Sequence, residues 1–183
     1  MPRFDKDDDA QDESWEKEEL AEEEEDDDDE SGEEGGSSSF GELSDDLVQL
    51  IEETEELAEA GELKKALRLW RKSIDRFSDE PVAYFHMALG CFRLLSEEMT
   101  TGGVWDSTAE MAALHEEALS HCDECLEMDD EFIPALNLMG ALHVLRDDHK
   151  EAVKAWKRSL AIDEDQPDVK QDLEEALNFL GEE

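Results

Sequence analysis

Gly61-Glu62-Leu63-Lys64-Lys65-Ala66, followed after three residues by Trp70 and after two more by Ser73, recurs as Asp147-Asp148-His149-Lys150-Glu151-Ala152 with Trp156 and Ser159 at the same spacings. The two stretches lie 86 residues apart, and a third copy, Ala118, Cys122 and Cys125, stands 34 residues before the second and 52 after the first. A period of 34 residues with one insertion of 18 accounts for all three. The residues ahead of each copy keep register as well. Tyr84, Met87, Ala88 and Cys91 lie 52 residues before Leu136, Met139, Gly140 and His143, and Leu50, Thr54 and Leu57 form a weaker first copy. Apolar residues three and four apart mark one face of a helix, and a repeated helix pair buries that face only by stacking on its neighbours.

The pattern resembles the tetratricopeptide repeat, with its period of about 34 residues and its run of large and small residues at helical spacing. The resemblance covers about residues 47–180. It implies an all-α, right-handed superhelix of antiparallel helix hairpins. Ala66, Ala88, Ala118, Gly140 and Ala152 would let paired helices approach, while Trp70 and Trp156 fill the space between successive pairs. The departures are Glu53 and Thr54, where a large and a small residue are expected, and Ser78, Asp130 and Glu164, where the family often has proline.

The repeats are expected at about 47–80, 81–132 with the insertion, and 133–166, as hairpins of 44–59 with 62–77, 81–98 with 107–128, and 133–145 with 149–162. A cap helix over 167–180 should follow, apolar at Val169, Leu173, Ala176, Leu177 and Leu180 and ended by Gly181. Pro81 and Pro167 sit where helices begin. The extra residues should lengthen both helices of the middle hairpin, with a turn through Gly102-Gly103 and a capping box from Ser107 to Glu110.

Outside the repeats the chain is dominated by charge. Of 183 residues, 56 are acidic and 16 basic, a formal charge of −40, which nearly excludes binding naked nucleic acid through its phosphates. Residues 1–40 hold 20 acidic side chains against Arg3, Lys6 and Lys17, including nine consecutive carboxylates from Glu22 to Glu30. Such a segment has too little apolar surface to offset the entropy of folding. Residues 1–41 are therefore expected to be a disordered acidic arm ending in a Gly/Ser linker, and residues 42–183 the folded domain. From residue 41 on, 36 acidic side chains still outnumber 13 basic ones, as a salt-rich cell interior or an ordinary acidic surface would each favour.

No apolar core of a signal peptide follows Met1, and the longest uncharged run, Phe132 to Leu145, has 14 residues where a membrane span needs about 20. Three cysteines do not make a disulfide framework, so a reducing compartment is expected, with the cytoplasm as the default.

Three function classes follow. Cys122 and Cys125 with His121 and Cys91 have the look of a metal or redox site, yet in the repeat register Cys122 stands where Trp70 and Trp156 stand and Cys125 where Ser73 and Ser159 stand, so these thiols are expected to be packing residues rather than ligands. Neither a glycine-rich phosphate loop nor a Ser/His/Asp pattern occurs, and no enzyme activity or cofactor is expected. The second class makes the acidic arm a polyanion that binds basic proteins. The leading class is an adaptor, scaffold or small chaperone that takes, in the concave groove, an apolar or helical segment of a partner that also carries basic residues.

The resemblance assigns that groove to the first helix of each pair. It names Val82, Phe85, His86, Leu89 and Phe92 on the second pair and Asn137, Leu138, Ala141 and Val144 on the third. In relatives that hold the acidic C-termini of heat-shock chaperones, this face carries a clamp of Lys, Asn and Arg. The matching places here are Ile51, Glu55, His86, Pro134 and Leu138, so the clamp is absent. Three-repeat chaperones of bacterial secretion systems are similar in size, acidity and apolar groove. On the second helices, Lys64, Arg68, Arg71 and Lys72 form a basic face that is either solvated or a dock for the chain's own arm.

Overall fold

The computed structural model describes residues 43–100 and 109–181. Among the described residues there are seven α-helices and no strand: α1 (Asp45–Glu59), α2 (Leu63–Ser73), α3 (Pro81–Thr100), α4 (Ala109–Met128), α5 (Ile133–Val144), α6 (His149–Ile162) and α7 (Pro167–Leu180). They form the three expected hairpins, α1 with α2, α3 with α4 and α5 with α6, each stacked on the next, and α7 closes the stack against α6. The acidic arm, the turn at Gly102-Gly103 and the first residues of the expected capping box lie outside the described residues.

Small residues set the approach of the helices. Ala88, Ala118 and Ala152 are fully buried, and Ala66 nearly so. Trp70 and Trp156 are 2 % and 4 % exposed and fill the junctions: the Trp70 ring stacks on His86 of α3, 5.7 Å between centroids, and Trp156 packs with Val169 and Ala176 of α7. Thr54, an anomaly in the first copy, behaves as the small residue of its helix pair. It is buried, and its hydroxyl donates back to the Leu50 carbonyl at 2.9 Å, so no polar group is stranded.

The second helix departs from expectation by ending early. After Ser73 the chain tightens into a 3-10 turn, Ile74–Phe77, in which Phe77 sinks into the core among Leu47, Leu50 and Trp70. The insertion does lengthen both helices of the middle hairpin, which run to 20 residues each against 11 in α2. Pro81 and Pro167 open α3 and α7, and Gly181 ends α7 at φ 70°, a left-handed conformation that glycine adopts without a Cβ clash. Gln166, just before α7, ties the cap down: its side-chain amide donates to the Ser159 hydroxyl and the Asp163 carbonyl, and its oxygen accepts from Asn137. No helix among the described residues is long and apolar enough to cross a membrane.

Candidate functional site

α3 carries two apolar faces. Ala83, Met87, Ala88, Cys91, Leu94 and Leu95 point into the core and are buried. Val82, Phe85, Leu89 and Phe92, spaced by three and four, form a second row that is only partly covered. Phe85 is anchored by the ring of Phe132, 5.5 Å away and tilted by 49°, so its position is fixed by an aromatic pair.

Beside this row lies a polar cluster that the sequence did not reveal. Arg93 Nη1 donates to Glu55 Oε2 at 2.7 Å, joining α3 to α1, and His86 Nδ1 lies 3.9 Å from the other oxygen of the same carboxylate. Burial pushes the His86 imidazole below its ordinary range; Glu55 opposes the shift and Arg93 adds to it. His86 is therefore neutral at neutral pH. Arg93 is thus engaged by the chain's own carboxylate and is not free to receive an acidic peptide end. Glu55 and Arg93 are 38 residues apart, and only the helix register in the repeat alignment could have hinted at their meeting.

On α5 the four expected groove residues are largely occupied within the fold. The Asn137 side chain donates to Gln166 at 2.8 Å, Leu138 is buried in the main core, and Val144 packs with the α6 and α7 cluster. Ala141 is half-buried. Val144 packs toward the cap helix and Leu138 into the core, so of the expected groove residues the partly exposed aromatic side chains are Phe85 and Phe92 of α3.

The basic face divides. Lys64, Arg68 and Arg71 line one cavity of about 520 Å³ between α2, the end of α3 and the start of α4, while Lys72 is exposed outside it. Arg71 grips Glu117 with two parallel hydrogen bonds of 2.8 and 2.6 Å, and Lys64 pairs with Glu98 at 3.3 Å. Docking of the acidic arm on this face lies outside the described residues.

The thiols sit in packing positions. Cys91, Cys122 and Cys125 are free and fully buried. Burial pushes Cys91 and Cys125 up to about 12, and Cys122 is raised as well, with Cys125, Asp123 and Cys91 adding to the effect of burial. A thiol held protonated is a poor nucleophile and a poor ligand. Among the described residues no group of three His, Cys, Asp or Glu is arranged to hold a metal ion.

Solved structures share this architecture. The first TPR domain of the human RPAP3 protein aligns with a TM-score of 0.60 at 19% identity, over 73% of this chain and 91% of that one. The first TPR of Spaghetti (RPAP3), bound to the HSP90 peptide SRMEEVD, gives 0.61 at 19% identity over 76% and 96%. The Sgt2 TPR domain from Aspergillus fumigatus gives 0.59 at 16% identity over 80% and 85%. No protein-family model and no curated protein sequence matches the chain. At these identities the likeness establishes the fold, which is that of a tetratricopeptide-repeat domain.

Proposed function

From the tetratricopeptide-repeat fold, we propose that this domain is a non-enzymatic protein-interaction module whose α3 face holds an apolar, helical or extended segment of a partner that also carries basic residues. The observation that carries the reading is the row Val82, Phe85, Leu89 and Phe92, partly exposed at helical spacing and stiffened by Phe132. Burying such a row contributes about 25 cal/mol per Å² of apolar area. The surrounding acidic surface favours a cationic partner and speeds its approach at low salt. The RPAP3-family domain above holds a peptide ending in Glu-Glu-Val-Asp; here Glu55 occupies Arg93 and disfavours such an end.

Peptide-library selection against the full chain tests this. The selected segments should be apolar and cationic, and Glu55→Lys, which frees Arg93 and adds a second cation, should turn selection toward acidic C-termini. Selection of acidic ends by the parent chain would overturn the reading. A second reading, in which residues 1–40 act as a polyanion toward basic proteins, is favoured by their 20 carboxylates. Deleting them would abolish binding under that reading and preserve it under the first. Three buried free thiols suit a reducing compartment, and residence in the cytoplasm belongs to the same proposal.

A further inference from the structure

The long middle hairpin overhangs the first. At the step lies the cavity of about 520 Å³, floored by one leucine from each of three helices: Leu67 of α2, Leu94 of α3 and Leu114 of α4. Lys64, Arg68 and Arg71 stand at i, i+4 and i+7 on α2, so they span about 10 Å of one wall. The facing wall on α4 presents Glu110, Ala113 and Glu117 over the same two turns. Glu98 and Glu117 neutralise Lys64 and Arg71 from within the fold. Arg68, between those two, has no ion-pair partner among the described residues, and neither has Glu110.

We propose that this cavity seats a short amphipathic helix of a partner protein, with apolar side chains on the leucine floor, a carboxylate on the flank toward Arg68 and a lysine or arginine on the flank toward Glu110. The rim residues Lys64, Arg68, Ala113 and Glu110 are all exposed, so the cavity is an open trough two helical turns long. A helix laid along it excludes water from the floor, which a free small molecule in an open trough would not do. The two unneutralised charges on opposite walls fix the orientation of the bound helix and select its charge pattern. A uniformly acidic segment is repelled by a chain of net charge −40, and a uniformly basic one meets the unneutralised Arg68 on the α2 wall. The trough is separate from the α3 row and does not depend on it.

The test uses the full chain and a fluorescein-labelled helical peptide of about four turns, with leucines on one face, glutamate on one flank and lysine on the other. Anisotropy should report saturable binding. Arg68→Glu, and Ala113→Trp, which fills the trough from an exposed position, should each weaken it at least about tenfold, with unchanged circular dichroism; Phe85→Ala combined with Phe92→Ala should leave it as it was. A peptide with the two flanks exchanged should bind more weakly. Absence of saturable binding, equal binding by Arg68→Glu and Ala113→Trp, indifference to the flank exchange, or loss in the phenylalanine variant would each overturn the proposal.

Discussion

Gly140 lies directly under the indole of Trp156: a Cβ built at position 140 would stand 2.3 Å from Nε1. That nitrogen donates to the Asn137 carbonyl one turn earlier in α5, so the ring cannot swing away without losing its hydrogen bond. Gly140→Ala should therefore destabilise the domain by about 1–3 kcal/mol, the usual cost of overpacking. Gly90 gives the opposite sign. A Cβ there meets Leu67 at an ordinary 3.6 Å, and Gly90→Ala should gain about 0.5–1 kcal/mol in helix stability. Urea melts of the two variants decide the pair.

Asp147 stands at φ 58°, while its counterpart in the first repeat, Gly61, stands at φ 77°. Both turns between the helices of a hairpin demand a left-handed residue, and only the first supplies glycine. Asp147→Gly should raise stability by about 0.5–1 kcal/mol, net of the greater freedom glycine gives the unfolded chain. A fall in thermal midpoint would show that the Asp147 side chain contributes more than its backbone costs.

Stability should fall at both ends of the pH scale. Burial lowers His86 and His115 below their ordinary range, so the native state prefers the neutral rings. Their contribution is complete above the unfolded value near pH 6.5 and is lost as pH falls through the depressed native values. The cysteines act in the other direction. Cys91 and Cys125 are raised to about 12, so their contribution is complete below the unfolded value near 8.5 and declines as pH rises toward 12. Denaturant midpoints between pH 5 and 10 should trace a dome, and the thiols should resist alkylation at neutral pH until the chain unfolds.

The period, the hairpins and the buried tryptophans were legible because they rest on spacing alone: Ala66 to Trp70 and Ala152 to Trp156 repeat the same local geometry. Glycine and proline punctuation at Gly181, Pro81 and Pro167 was legible for the same reason. Contacts that depend on how far one hairpin overhangs another were not. Glu55 with Arg93, Arg71 with Glu117 and the leucine-floored trough each require helices distant in sequence to be set side by side. The inward turn of Val144 depends on the placement of α7, and that of Leu138 on the packing of α5 against the main core, so an α5 groove surface that looked open in sequence is largely spent in packing.

The most direct test of the α3 face is calorimetric: the affinity of a library-selected apolar, cationic peptide for the parent chain and for the variant with Phe85→Ala and Phe92→Ala. Loss of the two rings should weaken binding by roughly a hundredfold or more, as expected for aromatic anchors worth about 2 kcal/mol each, while the helical circular dichroism stays the same. Equal affinity in the parent and the folded double variant would contradict the assignment of α3 as the binding face.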